Sequence, residues 1–200
     1  MEVENIITIE MLAQAYQAGF FPMADESGDI SWYNPDPRAI IPIETYKPSK
    51  SLKPVLNKSY FEIRIDQNFE QVMRYCAAPR QNDPETWISE DIIQLYTKLH
   101  QAGFAHSVEA YLNHKLVGGL YGVSFGAAFM GESMFSLVPN SSKVAFHYLI
   151  QILKTNGFTL LDTQFMNDNV KRYGAIEISR NAYLQQLNLA LVKKCPFKLP

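Results

Sequence analysis

Apolar and polar positions along this chain alternate between a helical and a strand period, and the switches outline the elements. Behind Thr8, a good N-cap, apolar residues recur at helical spacing from Ile9 to Tyr16, and Gly19 is a natural stop. Phe20-Phe21-Pro22-Met23 is an apolar group, followed by a turn-rich loop over residues 24–29. Trp32-Tyr33-Asn34-Pro35-Asp36-Pro37-Arg38 is broken by prolines and excludes a regular helix; it reads as a packed connection or a lid. From about residue 59 the pattern is regular. Tyr60-Phe61-Glu62-Ile63-Arg64-Ile65-Asp66 alternates as a half-buried strand does, and residues 68–77 are helical. Ser89, Glu90 and Asp91 start another helix, with Ile92, Ile93, Tyr96 and Leu99 on one face before Gly103. Strands at 107–112 and 115–123 flank Asn113-His114, a hairpin turn, and a third run at 127–135 pairs onward through Gly126. Asn140 or Ser141 caps a helix whose stripe is Ala145, Phe146, Leu149, Ile150 and Leu153, ending at Gly157. A strand at 158–164, a short helix at 167–173, a strand at 175–178 and a final helix at 181–192 complete the series. This order predicts an α+β fold in which a helix crosses from a strand meander to a neighbouring strand.

Two of the apolar strands carry a polar group where a core strand should have none. Gly131-Glu132-Ser133-Met134-Phe135-Ser136 holds Glu132, and Leu160-Leu161-Asp162-Thr163-Gln164 holds Asp162 and Gln164. A buried carboxylate without a partner is costly, so two of them point either to a site or to pairing with basic residues and helix ends. In a strand, Asp162 and Gln164 share a face, which would bring a carboxylate and an amide together beside the second carboxylate.

Composition narrows the function classes. The 200 residues are 47% hydrophobic and 19% charged with a formal net charge of -2, an ordinary globular chain rather than a disordered or generally nucleic-acid-coating one. Between Lys47 and Arg64, five basic residues (Lys47, Lys50, Lys53, Lys58, Arg64) face one acidic residue, either a solvated face or a weak phosphate-contact patch. Cys76 and Cys195 are too few for a disulfide framework, and the four histidines lack metal-ligand spacing, so no metal is expected. The acidic start, Met1 to Asn5, is unlike a signal peptide, and no apolar run could span a membrane; the expectation is a cytoplasmic monomer.

Other motifs weaken on inspection. His106 and Ser107 are adjacent on a strand and point to opposite faces, so they cannot be a nucleophile–base pair. Gly118, Gly119 and Gly122 lie within a strand-like run and are no dinucleotide fingerprint; they suit close backbone approach, a bulge or a ligand lying on the sheet. Trp87, in a loop before a helix cap, is either a core plug or a stacking platform for a base. Acyltransferases of the GNAT type bind coenzyme A pyrophosphate on a Gly-rich loop before a helix such as the one at 141, but Ser136-Leu137-Val138-Pro139-Asn140-Ser141-Ser142 has no glycine. Coenzyme A is therefore not expected even on such a fold.

The chain resembles the bacterial leucyl/phenylalanyl-tRNA–protein transferases. The resemblance rests on Ala15-Tyr16-Gln17-Ala18-Gly19-Phe20-Phe21-Pro22, Pro35-Asp36-Pro37-Arg38-Ala39, Thr86-Trp87-Ile88, Leu116 through Gly122, Gly131 through Ser136, Asp162 with Gln164, and Gly174-Ala175. It spans residues 11–187 approximately, and Gly-Glu-Ser-Met-Phe-Ser with Leu-Val-Gly-Gly-Leu-Tyr-Gly is highly specific. It implies a small N-terminal domain or lid, 1–58, shortened relative to the family by a Gly-Gly-Asp-containing segment, and a GNAT-like catalytic domain, 59–200. It also implies transfer of Leu or Phe, with Met as a further candidate donor, from aminoacyl-tRNA to proteins that begin with Arg or Lys, marking them for N-end-rule degradation, without cofactor or metal. Glu132 would hold the donor's α-amino group, and Asp162 with Gln164 would orient or activate the acceptor amine. Trp87 would stack on the terminal adenine, beside Met23, where the family commonly has a tryptophan. Phe129, Met134, Phe146, Leu149, Leu153 and Leu161 would line the donor side-chain pocket, or simply pack the core. Asn169 replaces a common histidine, and Phe146 and Leu149 exchange the bulk of two pocket positions. The rival readings are another tRNA-dependent aminoacyl transferase on the same fold, for instance one acting on a peptidoglycan peptide, and a non-catalytic tRNA- or degron-binding protein.

Overall fold

In the computed structural model, which describes residues 7–24, 29–79 and 86–200, Thr8 accepts the Met11 amide at 3.3 Å and starts helix α1 (Ile9–Gln17). The N-terminal pentapeptide, most of the expected turn-rich loop and the residues just ahead of Thr86 lie outside the described residues. The apolar group after Gly19 is the first arm of a hairpin, β1 (Phe21–Ala24) with β2 (Ile30–Tyr33), so the segment read as irregular is partly strand.

The remaining strands form one mixed sheet. They are β3 (Arg38–Ile40), β4 (Glu62–Ile65), β5 (Ala105–Leu112), β6 (Lys115–Phe125), β7 (Ala128–Ser136), β8 (Leu160–Gln164) and β9 (Ile176–Ile178), in the order β4-β5-β6-β7-β8-β3-β9. Asn113 and His114 both adopt positive φ, 50° and 63°, the backbone of a tight turn that matches strand twist. Only β7 and β8 run parallel among these pairs, joined by the crossing helix α5 (Ser141–Thr155) that the sequence anticipates. β3 comes from early in the chain yet sits between β8 and β9, because Ala39 and Ile40 are apolar on both sides and can be buried in a sheet interior.

Helices α1, α3 (Phe69–Ala77), α4 (Glu90–Gln101) and α7 (Arg180–Leu191) cover one face, with Leu12, Tyr16, Val72, Ile92, Tyr96, Tyr121 and Tyr183 in its core. Helix α5 covers the other, packing Ala145, Phe146, Leu149 and Leu153 on Val108, Leu120, Phe129 and Leu161. Two short helices, α2 (Lys53–Asn57) and α6 (Asp168–Arg172), complete the structure. Gly118 explains how α5 seats: a Cβ there would lie 2.2 Å from Ser141 Oγ, so only glycine lets the helix start approach the sheet. Asn140, at φ 71°, makes no capping bond, and Ser141 turns its hydroxyl down toward the Val117 carbonyl at 2.9 Å. The space over Gly122 is likewise taken by the Phe129 ring, so at these two glycines protein, not ligand, makes the close approach. Among the described residues no helix is long and apolar enough to cross a membrane.

Candidate active site

The site begins with a slip in register. Tyr121 faces Ser133 and Gly122 faces Gly131, so Glu132 is the extra residue of a bulge between β6 and β7. A bulge re-aims one side chain out of the ladder's alternation, and here it turns a carboxylate toward a cleft at the sheet's centre. Gly131 leaves that point uncrowded: a Cβ on it would meet only the Asp162 carbonyl, at 3.6 Å.

Among the described residues two hydrogen bonds hold the Glu132 carboxylate, and both fall on the same oxygen. Oε1 accepts from Tyr16 Oη at 2.6 Å and from Gln164 Nε2 at 3.0 Å. Oε2 is buried and has no hydrogen-bond partner among the described residues. The residue keeps some exposure along the cleft while its carboxylate is withdrawn from water. Burial therefore pushes the Glu132 carboxyl up to about 7; the Tyr16 and Gln164 bonds and the Arg38 charge oppose the rise, and Asp162 adds to it. Tyr16 also meets the Tyr96 hydroxyl, and burial above all raises Tyr16, Tyr96 and Tyr121 well above the ordinary phenol range. These hydroxyls stay protonated, which is why Tyr16 can donate to Glu132.

Gln164 reaches Glu132 through an unusual backbone. Its φ is 65°, in the left-handed region that a β8 residue would ordinarily avoid. Its amide donates to Asp162 Oδ1 at 2.8 Å, which holds the turn. Asp162 is fully buried. It accepts from Arg38 Nε at 2.8 Å, Arg38 Nη2 at 2.6 Å and Tyr183 Oη at 2.9 Å. The two-residue spacing therefore does not make Asp162 and Gln164 equivalent: Gln164 lines the cleft, Asp162 does not. The extended alternation that would have aligned them ends at Gln164.

The cleft has a volume of about 290 Å³. Trp87, Met23 and Phe165 line it, as do Met134, Phe146, Leu149 and Leu161. Trp87 also packs partly on the core, so the same side chain both lines the cleft and plugs the core. Phe129 and Leu153, expected in the same pocket, are instead fully buried core residues that do not border the cleft. Both lie in the core between the sheet and α5, where Phe129 also stacks on Phe197 at 5.4 Å. Lys47, Lys50, Lys53 and Lys58 are exposed around α2 and away from the cleft lining, and Arg64 is paired with Glu62 at 2.8 Å. Asn169 lines the cleft beside Asn167. His106 bonds Asp66 and Ser107 bonds Glu109, so the two do not meet.

Several site residues escape sequence reasoning. Tyr16 and Tyr96 look like members of apolar helix stripes, and only the tertiary fold brings the Tyr16 hydroxyl to Glu132 and the Tyr96 hydroxyl to Tyr16. Tyr173 stacks on Phe146 at 3.9 Å and lines one wall of the cleft beside Phe146 and Leu149. Arg38 leaves one faint signal, a charge at the head of the apolar run Ala39-Ile40-Ile41.

A family model described as leucyl/phenylalanyl-tRNA protein transferase matches residues 40–188, and one described as the N-terminal domain of that transferase matches residues 5–36. The chain belongs to the leucyl/phenylalanyl-tRNA–protein transferase family. It is 49% identical over 193 residues to the leucyl/phenylalanyl-tRNA–protein transferase of Chlorobaculum parvum, covering 96% of this chain and 100% of that protein. Its identity to the transferase of Gloeobacter violaceus is also 49%, covering 96% of this chain and 98% of that one. Among solved structures, L-PGS from Bacillus licheniformis is similar with a TM-score of 0.45 at 14% identity, over 82% of this chain and 55% of that one.

Proposed function

We infer that this transferase-family chain moves leucine or phenylalanine from aminoacyl-tRNA to the α-amino group of a protein that begins with Arg or Lys. The observation that carries the reading is Glu132, a buried carboxylate with one oxygen doubly held and the other unpartnered, in a cleft that also holds an indole and an apolar wall. An unpaired buried carboxylate oxygen is costly, and an ammonium group relieves that cost. Glu132 Oε2 takes the donor's α-ammonium; Met134, Phe146, Leu149, Leu161 and Tyr173 take its side chain. Trp87 stacks on the terminal adenine, with Met23 as a soft contact beside it.

The chemistry needs little more than orientation. The acceptor amine attacks the ester carbonyl, an amide C–N bond forms, the ester C–O bond breaks, and the amine's proton ends on the released ribose hydroxyl. The ester is already activated, so no covalent nucleophile is called for, and holding the two reactants in line supplies most of the acceleration. Gln164 orients the acceptor amine, and Asp162 acts on it from behind, through the Gln164 backbone. The GNAT-like assignment is supported by an antiparallel meander followed by a helical crossover to a parallel strand. In place of a boundary at residue 58, the reading ends the N-terminal unit before β3; that β3 belongs to the sheet, and that the two family models meet between residues 36 and 40, support it. The reading puts the protein in the cytoplasm, the compartment of aminoacyl-tRNA, as a monomer.

An in vitro transfer assay tests it: labelled Leu-tRNA or Phe-tRNA with peptides that differ only in their first residue. Arg- and Lys-initiated peptides should be labelled and Asp-initiated ones not. Gln164→Ala should lower the rate by about 10²-fold with the fold intact. Equal labelling of all peptides, or none, would sink the assignment.

A further inference from the structure

Arg38 is fully buried, and all three of its guanidinium nitrogens are engaged. Nε and Nη2 grip Asp162 at 2.8 and 2.6 Å, and Nη1 donates to the Gly19 carbonyl at 3.0 Å. Its charge lies over the rings of Phe21 and Tyr183, 4.7 and 4.4 Å from their centroids. Two routes leave this one group. Through Gly19 it ties down the end of α1, three residues beyond Tyr16, which bonds Glu132 Oε1. Through Asp162 it holds the Gln164 amide in its left-handed turn, and the Gln164 side chain bonds the same Oε1.

We propose that Arg38 is a positioning residue for aminoacyl transfer, anchoring both arms that hold Glu132 Oε1 so that Oε2 is the oxygen offered to the donor's ammonium. The role requires arginine. A planar fork sets three donors in fixed directions, whereas lysine is a single point charge that cannot serve Gly19 and both Asp162 oxygens together. The strained Gln164 backbone depends on the same arrangement, because its compensating bond ends on a carboxylate that Arg38 and Tyr183 otherwise hold. The proposal rests on the transferase reading above.

Two variants test it: Arg38→Lys, and the neutral pair Arg38→Met with Asp162→Asn, which leaves no unpaired charge buried and is read against Asp162→Asn alone, because Asp162 itself acts on the acceptor. Each is checked for folding by circular dichroism and thermal melting, assayed with Leu-tRNA and an Arg-initiated peptide, and crystallised. The expected result is a folded protein whose kcat falls by about 30-fold or more while its KM for Leu-tRNA rises by less, because Trp87 and the apolar wall, which do not touch Arg38, still hold a donor whose ammonium has lost Glu132. The crystals should show Gln164 Nε2 withdrawn from Glu132 Oε1. A folded variant with kcat within about threefold of wild type, or with that hydrogen bond intact, overturns the proposal. So does failure of the neutral pair to fold, which would make Arg38 an element of the core alone. Absence of transfer by the wild type would instead sink the functional reading, and the crystal structures would still decide whether Arg38 holds the two arms.

Discussion

Replacing Glu132 by glutamine should change how stability depends on pH, by an amount the site itself sets. Burial raises this carboxyl from 4.5 to about 7. Above its unfolded pKa the unfolded chain releases the proton while the folded protein retains it, so wild-type stability is fully present below pH 4.5 and falls as pH rises to about 7. A rise of roughly two and a half units, at 1.36 kcal/mol each, amounts to about 3 kcal/mol lost across that window. Glu132→Gln removes the titration. Its amide can still accept from Tyr16 and Gln164 through one oxygen, and whatever its unpartnered NH₂ costs is the same at every pH. Urea unfolding of both proteins at pH 4.5 and pH 8 therefore measures the difference directly, because all other titrating groups cancel between them. The variant should gain about 3 kcal/mol relative to wild type between the two pH values. Parallel pH dependences, agreeing within about 0.5 kcal/mol, would refute the claim that Glu132 is held in a desolvated site.

The same ionisation should appear in the activity of the wild type: transfer should rise with pH through an acid limb near 7 as Glu132 becomes the carboxylate that binds an ammonium, and Glu132→Gln should abolish that limb as well as most of the rate. Trp87→Ala should weaken aminoacyl-tRNA binding by roughly 1–3 kcal/mol, and Met23→Trp should tighten it; a variant that only melts lower would leave Trp87 a core plug. Competition among donors should show Leu, Phe and Met all used, since an apolar pocket separates such side chains by about 1–3 kcal/mol, while β-branched Ile and Val are rejected. Efficient Ile transfer would overturn that pocket assignment. Gly118→Ala should cost about 1–3 kcal/mol in thermal or urea unfolding, because its Cβ would land on Ser141; an unchanged midpoint would show that α5 seats without that close approach.

Much of the fold was legible because it is local. Thr8, Ser89 and Asn113-His114 mark their helix starts and turn by chemistry that acts within a few residues, and the α5 stripe declares its buried face by spacing alone. Glu132, Asp162 and Gln164 stood out as polar groups in apolar runs, and Trp87 as an indole in a loop. What the sequence could not determine is how those groups are turned. Strand alternation treats Asp162 and Gln164 alike and Glu132 as an ordinary strand residue, but a bulge and a left-handed residue override it. Both depend on partners from far along the chain: Arg38, 124 residues from Asp162, and Tyr16, 116 residues from Glu132. Apolar character and spacing did not separate Phe129 and Leu153 from Leu149 and Leu161; all four pack in the core, and only the tertiary fold decided that the last two also border the cleft. Period and capping are set by near neighbours; the direction of a buried carboxylate is set by which distant hydrogen-bond donors the finished fold brings to it, and that is decided by tertiary structure alone.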